Sequence, residues 1–291
     1  WLLCMKRWVA FAPAKVNLAL HVGAPRADGR HPIASLAVFA SVGDRVTVSE
    51  GRSEFALSGP FGAGLAHETD NLVLRALSLL TARPLRVALE KDLPIASGIG
   101  GGSADAAAAL RAARALLALP LDDAALEVIS APLGADVPVC VRCRPALMTG
   151  GGETVTPVTL APLHGVLVNP GIPLSTAAVY RRFDAIGAFG VAALASPPAD
   201  LESYLRAARN DLEPAALALA PALGAVLARL RGDPGVWLAR MSGSGATCFA
   251  VTDDAPALAA AVSRRHPQWW VRAARLGAPD AGGVDALAGD V

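Results

Sequence analysis

Four glycines fall within five positions, Gly98-Ile99-Gly100-Gly101-Gly102, inside the run from Leu93 to Asp105. The Ala/Leu-rich stretch Ala106 to Leu119 that follows has strong helix propensity. Strand, glycine loop and helix in that order aim backbone N–H groups and the positive end of a helix dipole at one spot, which suits a phosphate. Four glycines cost about 2–4 kcal/mol of backbone entropy relative to alanine once they are ordered. A loop that only turns needs fewer of them, and close approach of a ligand to the backbone accounts for them better. The plainer reading is a mobile hinge. Against it, Ser103 and Asp105 are residue types that suit capping at the start of a fixed helix.

The spacing excludes three familiar loops. A Walker-type loop needs lysine after its last glycine, and here Ser103 follows Gly102. Counting G-x-G-x-x-G from Gly98 reaches Ser103, and from Gly100 it reaches Asp105. No G-x-S-x-G of a hydrolase elbow is present in this run. Other polar residues are ambiguous by type alone. Lys91 sits between a strand and the loop, where it either reaches a phosphate or ends a strand in solvent. Asn71 suits a helix N-cap. Asn17 shares a strand face with Lys15, two positions away. Asp136, between Gly134 and Pro138, taken alone caps a turn.

These residues need elements to hold them. Val9 to Ala12 and Val16 to Val22 read as strands, as do Leu36 to Ala40 and Val46 to Ser49, with Gly43-Asp44 as the turn between the latter two. Gly59 to Gly64 reads as a loop. Asn71 to Thr81 has the 3–4 apolar spacing of a helix, ended by Pro84, and Leu85 to Leu89 is a strand. Asp122 to Ile129 is a short helix, and Gly150-Gly151-Gly152 a hairpin turn. After a boundary near Pro157–Pro162 come a strand at Gly165 to Val168, a helix at Thr176 to Phe183, a surface connection at Val191 to Ala199 and one long helix from Pro214 to Leu230. Strands at Val236 to Arg240 and Thr247 to Val251 flank a glycine turn, followed by a helix at Ala255 to Arg265 and a strand at Trp269 to Ala273. Helices over a short antiparallel sheet make the class α+β.

A chain of 291 residues, 53% hydrophobic but only 5% aromatic, builds its core from alanine, leucine and valine in one large or two smaller domains. A net charge of +1 excludes a nucleic-acid binder that relies on phosphate-backbone electrostatics. Mean hydropathy is +0.43, yet no apolar stretch reaches the roughly 20 residues that span a bilayer. Trp1-Leu2-Leu3-Cys4-Met5 is too short for a signal peptide, and Met5 is a candidate natural start. The default expectation is a reducing cytoplasm, which four cysteines fit. Cys140-x-x-Cys143 lacks a second pair or a redox context and reads as two small buried residues.

Pro94-Ile95-Ala96-Ser97-Gly98-Ile99-Gly100-Gly101-Gly102-Ser103 resembles the ATP loop of the GHMP kinases, the galacto-, homoserine, mevalonate and phosphomevalonate kinases. Four more blocks support the resemblance: Pro13-Ala14-Lys15-Val16-Asn17-Leu18, Arg26-Ala27-Asp28-Gly29-Arg30-His31, Leu133-Gly134-Ala135-Asp136-Val137-Pro138 and Met241-Ser242-Gly243-Ser244-Gly245-Ala246. All five follow the family's order across about residues 11–252. The likeness is strongest to the branch that phosphorylates a cytidine-diphospho-linked polyol for non-mevalonate isoprenoid synthesis.

The resemblance implies a ribosomal-S5-like ATP-binding and catalytic domain over residues 1–158, a ferredoxin-like domain over 159–291, and an active site between them. It implies that Asp136 is the catalytic base toward the substrate hydroxyl, with Lys15 beside it to orient that hydroxyl and offset developing charge. The ATP site would comprise residues 94–104 through Ala104, together with Asn71 and Lys91. ATP would bring Mg²⁺ with it, held by phosphates and water, since the sequence shows no dedicated metal cluster. Ser103 would reach a phosphate oxygen or the metal. Asn17, His31, Thr176 and Tyr180 would contact the substrate together with Asp136, His31 on a cytosine and Tyr180 on the opposite wall. Arg30 stands where this branch has an aromatic, and its guanidinium plane can stack on a pyrimidine. The Ser242-Gly243-Ser244-Gly245 turn would brace the phosphate loop, and Asn210-Asp211-Leu212-Glu213-Pro214 would be structural. The expected partner is a small molecule, with no nucleic acid or membrane, and the chain would act as a monomer or weak homodimer. Two alternatives stand beside this: a sister kinase of the homoserine or mevalonate type, and a non-catalytic nucleotide-binding regulator. Lys15 and Asp136 speak against the regulator, and His31 and Tyr180 against substrates without a base.

Overall fold

A computed structural model describes residues 6–68, 70–277 and 282–287. Cys4 and the candidate start Met5 lie outside the described residues. The first part of the chain gives β1 (Arg7–Val22), β2 (Ile33–Glu50), β3 (Glu54–Ser58), α1 (Leu72–Leu80), β4 (Leu85–Glu90), α2 (Gly101–Leu116), α3 (Asp123–Ser130), α4 (Asp136–Arg142), β5 (Ala146–Thr149) and β6 (Thr154–Pro157). The rest gives β7 (Leu163–Asn169), α5 (Thr176–Ile186), α6 (Leu201–Ala207), α7 (Glu213–Leu219), α8 (Leu223–Arg231), β8 (Val236–Met241), β9 (Cys248–Thr252), α9 (Ala255–Arg265), β10 (Trp270–Leu276) and β11 (Val284–Leu287).

The strands run in the order β11-β1-β2-β10-β7-β9-β8, with β4 and β5 also on β2, β3 on β4 and β6 on β5. Neighbours pair antiparallel except β3 with β4. The expected division near residue 158 separates β1–β6 from β7–β10, and β11 crosses back over it to pair with β1. One core lies under α1–α4 and another under α5 and α7–α9. A third joins the two halves, with Leu18, Leu36, Leu93 and Ile99 packed in one cluster with Leu167, Phe249 and Leu276. Ile99 of the glycine loop is thus anchored in the seam.

Helix α2 explains why so few aromatics suffice. Ala104, Ala106–Ala109, Ala112 and Ala113 are all buried, so the helix is enclosed on every side. Methyl side chains let it lie close to the sheet, which fixes the position of its first turn. Its two buried charges are both partnered. Asp105 meets Lys91, and Arg111 donates to the carbonyls of Phe11, Cys140 and Val141. A buried arginine also ties the second half to the first. Arg240 donates to the carbonyls of Leu18, Leu205 and Ala208, and burial lowers its pKa to about 10.

The structure corrects several expected elements. β1 is one strand, because the register slips at Pro13, which has no N–H to give, instead of breaking there. Gly43-Asp44 is no turn: β2 runs straight through it, and a Cβ on Gly43 would lie 2.2 Å from the Ala12 carbonyl oxygen. The segment 214–230 is two helices, α7 and α8, parted at Ala220-Pro221. Helix α2 begins at Gly101, five residues before Ala106. Asp136 starts α4 and does not sit in a loop.

Candidate active site

Gly100, at φ +63°, is the N-cap of α2 and offers no side chain to cap it. The N–H groups of Gly101, Gly102 and Ser103 therefore stand at the positive end of a 16-residue helix, without intrahelical acceptors. All three residues line a cleft of about 420 Å³. Pro94, Ile95, Ala96, Ser97, Gly98 and Asn71 line it too. Ile99 and Ala104 do not. Ile99 is buried in the seam and its carbonyl accepts the Lys15 N–H at 2.9 Å, while Ala104 closes the first helical bond onto Gly100.

Each glycine has its own reason. A Cβ on Gly98 would meet the Ser242 carbonyl oxygen at 2.5 Å, and Gly98 also sits at φ +74°. A Cβ on Gly100 would touch the Lys15 side chain, and one on Gly101 would lie 2.9 Å from the Lys91 ammonium. Only the space beside Gly102 is open. The glycine run thus serves internal packing as much as ligand approach. The Ser242–Gly245 turn does brace the loop: Ser242 Oγ donates to the Gly98 carbonyl at 3.0 Å, and the Thr247 N–H to that of Ser97 at 3.0 Å. Asn210 holds the turn in its place by donating to the carbonyls of Met241 and Gly243, each at 2.8 Å.

Lys91 does not end a strand in solvent: it lines the cleft with its ammonium held by two carboxylates. It is buried between Asp44 at 2.5 Å and Asp105 at 2.7 Å. Asp44 Oδ1 also accepts the N–H groups of Asp92 and Leu93. The triad therefore ties the entry of the glycine loop to the helix that leaves it. Burial first, then the neighbouring Asp44, pushes the Asp105 carboxyl well up, against the pull of Lys91. Neither carboxylate was visible as a site residue in the sequence, because both contacts bridge distant parts of the chain.

Across the cleft, Lys15 Nζ on β1 meets Asp136 Oδ1 at the start of α4, 2.7 Å away. The lysine side chain is 5% exposed and the aspartate 40%, so the carboxylate is the reachable partner. Asn17 donates from Nδ2 to Ser35 Oγ at 2.7 Å, which leaves its buried Oδ1 without a partner at the cleft wall. Thr176 Oγ1 shares a hydrogen bond with Ser244 Oγ at 2.8 Å. Tyr180 lines the cleft, and burial, helped by the Asp136 charge, pushes its phenol up to about 12.

Beyond Tyr180 lies an aromatic cluster that the sequence did not announce. His31 is 5.2 Å from the Tyr180 ring, 5.7 Å from Phe183 and 6.2 Å from Phe189. Arg30 is not part of it. It is exposed on a turn, its N–H held by Asp28 Oδ1 and its carbonyl by the Arg26 N–H, and it lines no part of the cleft. Its sequence neighbour His31 is turned inward from the same turn, 8% exposed.

Residues 71–144 match the GHMP kinases N terminal domain, and residues 191–268 match the GHMP kinases C terminal family. The chain belongs to the GHMP kinase family. This GHMP kinase is 49% identical over 288 residues to the 4-diphosphocytidyl-2-C-methyl-D-erythritol kinase of Caulobacter vibrioides, covering 93% of this chain and 99% of the relative. It is 47% identical to the enzyme of the same name from Cereibacter sphaeroides, over 92% of this chain and 98% of that one. A solved 4-(cytidine 5'-diphospho)-2C-methyl-D-erythritol kinase superposes with TM-score 0.76 at 35% identity, over 93% of this chain and 99% of the other. Mevalonate kinase of L. major, at 16% identity and TM-score 0.67 over 91% and 94%, shares the fold. As a GHMP kinase the chain is an ATP-dependent small-molecule kinase. Among the described residues no cluster of three or more His, Cys, Asp or Glu could hold a metal ion, and no helix is long and apolar enough to cross a membrane.

Two glycine substitutions separate packing from ligand approach. Gly98→Ala forces a Cβ into backbone at a positive φ and is expected to destabilise the fold by about 2 kcal/mol or more. Gly102→Ala meets open space inside a helix and is expected to add about 0.5–1 kcal/mol of stability. It should nevertheless raise KM for ATP about tenfold, because the added methyl fills the space through which a phosphate reaches the backbone N–H groups. Thermal unfolding and steady-state kinetics on the pair check both. An unchanged KM in Gly102→Ala would mean that no phosphate approaches that residue.

Proposed function

We propose that this kinase transfers the γ-phosphoryl group of ATP to the 2-hydroxyl of 4-diphosphocytidyl-2-C-methyl-D-erythritol, giving the 2-phosphate and ADP in non-mevalonate isoprenoid synthesis. The observation that carries it is the 2.7 Å contact of Lys15 with Asp136 beside a helix N-terminus built from glycine. Near-full-length likeness to kinases named for this substrate selects it among alcohols.

Phosphoryl transfer asks a protein chiefly for positioning and for charge stabilisation. The N–H groups at 101–103 cradle the phosphates. Ser103 is the hydroxyl at the cradle that would reach a phosphate oxygen or the Mg²⁺ that ATP would bring, an ion that phosphates and water would otherwise hold and that would neutralise phosphate charge. Asn71 caps α1 at the nucleoside end, next to the apolar wall of Leu65, Leu72 and Val73. Asp136 accepts the proton of the attacking hydroxyl. Lys15 orients it and offsets the charge that develops on oxygen. Asn17 Oδ1 is an unused acceptor for a second hydroxyl of the polyol. A tertiary alcohol is hindered and weakly acidic, so alignment carries as much of the rate as the base does. Thr176 and Tyr180 line the substrate end, His31 lies behind Tyr180, and Arg30 stays outside. The division into residues 1–158 and 159–291 assigns cradle and base to the first unit, brace and α5 to the second. The expected setting is the cytoplasm, and the working species a monomer or weak homodimer.

The test is ADP release from MgATP with the cytidine-diphospho substrate, run beside homoserine and mevalonate. Turnover with the cytidine compound alone is expected. Turnover with another alcohol would keep the Lys15–Asp136 chemistry and discard the substrate. Silence with all three, ATP still binding, would favour a regulator.

A further inference from the structure

Ser35, on β2 and fully buried, decides which way the Asn17 amide points. Its Oγ has two recorded contacts, Asn17 Nδ2 at 2.7 Å and the Ala19 carbonyl oxygen at 2.8 Å. A carbonyl oxygen only accepts, so the single hydroxyl proton of Ser35 goes to Ala19. Ser35 can then only accept from Asn17. Turning the amide over would set Oδ1 against an oxygen with no proton left to give, so Nδ2 must face Ser35 and Oδ1 must face away. The β1–β2 register shifts between Asn17 and Ala19, a bulge that brings both groups to one hydroxyl. From the other side, Ser242 Oγ accepts the Asn17 N–H at 3.1 Å and spends its own proton on the Gly98 carbonyl. The Asn17 backbone is therefore pinned as well.

Oδ1 is left buried and without a partner at the wall of the cleft, beside Gly243. A buried polar atom without a partner is costly, and one aimed there by a directed network calls for a ligand. That ligand must donate. The reacting hydroxyl gives its proton to Asp136 and has none for Asn17, so the donor is a hydroxyl next to it. We propose that Ser35 is a positioning residue for the kinase reaction: by fixing the Asn17 amide it presents an acceptor, and only an acceptor, to a hydroxyl flanking the reacting one, and so selects a polyol with a donor at that place. In the proposed substrate the flanking hydroxyls are those on C1 and C3, and the inference rests on that reading of the substrate. Ser35 lines no part of the cleft and acts on substrate only through Asn17.

Ser35→Ala is expected to lower kcat/KM for the alcohol substrate about tenfold, the weight of one buried hydrogen bond, with KM for ATP kept. Ser35→Thr keeps the hydroxyl and should restore the rate. A merely structural serine would lower activity whatever hydroxyls the substrate carries, and the 1-deoxy and 3-deoxy analogues separate the two cases. One of them should lose about tenfold in wild type and no more in Ser35→Ala, because the hydroxyl and its acceptor act as a pair. If both analogues suffer the full Ser35→Ala loss, or if Ser35→Ala leaves kcat/KM unchanged, the proposal is overturned. Should Ser35→Ala not fold, Ser35→Cys, of similar size with only a weak acceptor, carries the same cycle. If wild type ignores the cytidine compound and phosphorylates another alcohol, the substrate reading falls; the inference stands when the same cycle, run on that alcohol and its deoxy forms, shows the pair, and falls when it does not. No turnover with any alcohol overturns both.

Discussion

Asp136→Asn is expected to lower kcat by about 10²–10⁴-fold, the usual weight of a positioned general base. The amide keeps the size of the carboxylate and its place at the first turn of α4, so the fold should not change. It loses the lone-pair basicity that takes the hydroxyl proton and the negative charge that pairs with Lys15 at 2.7 Å. Among the described residues the ion pair recorded for Asp136 is with Lys15 and not with the glycine cradle, so ATP should bind with near wild-type affinity, measurable by titration calorimetry. A loss in kcat with ATP affinity kept marks a group that acts in the transition state. Lys15→Met should cost a comparable factor, and the double variant little more than either single one, because the two act as a unit. Its test is sharper for one reason: Lys15 packs across Gly100 as well, where a Cβ would come within 3.2 Å of its own. If Lys15→Met raises KM for ATP while Asp136→Asn does not, the lysine also supports the cradle. Near-normal turnover in Asp136→Asn would remove it from the mechanism.

Those two residues and the glycine run were legible in the sequence because each carries its signal locally. Glycine is chosen by backbone geometry, and α9 could be read residue for residue from Ala255 to Arg265 because its capping Asp254 and its apolar spacing are both local. Asp44 shows where such signals mislead. Gly43-Asp44 has turn composition, but Gly43 is small because Ala12 and Pro13 of β1 press against it, and Asp44 faces inward to Lys91. A pattern rule sees the dipeptide and not the strand opposite. Pro221 had a visible signal, since proline inside an apolar helical run ends it, and the alanine-rich periodicity on both sides hid the break. Arg30 and His31 were read as neighbours in one pocket. The turn from Arg26 to Arg30 sends one side chain to solvent and the next into the ring cluster, a choice made by Asp184, Phe183 and Phe189 more than 150 residues downstream. Asp105 lay in plain view in the loop motif, yet its role depends on a lysine just past the end of β4 and an aspartate from β2.

The buried triad is where stability should respond most. Lys91→Met keeps an unbranched chain of similar length and removes the ammonium. Asp44 would retain the N–H groups of Asp92 and Leu93 on Oδ1 and lose its partner on Oδ2. Asp105 would fare worse: its Oδ1 already has no partner, and Oδ2 would lose Lys91. Removing one member of a buried ion group costs about 3–5 kcal/mol, because charge or an orphaned oxygen is left in low dielectric. Urea denaturation at pH 7 should show a loss of that order. The deficit should shrink as pH falls. Between the ordinary carboxylate range and the raised pKa of Asp105 the native state binds more protons than the unfolded chain, so stability drops as pH rises through that window. Deprived of Lys91, whose charge pulls the other way, Asp105 is pushed further up, which steepens that slope in the variant. Adding Asp105→Leu to Lys91→Met should recover part of the loss, since it removes the carboxyl with no remaining partner and leaves Asp44 on its two backbone donors. A loss below about 1 kcal/mol, the range of a solvated surface pair, would mean that water reaches the triad. The consequence for catalysis follows from what the triad joins. Asp44 grips the loop at Asp92 and Leu93 and Lys91 grips α2 at Asp105, so loosening it lets the cradle drift relative to Lys15 and Asp136. The folded fraction of Lys91→Met should therefore show a raised KM for ATP.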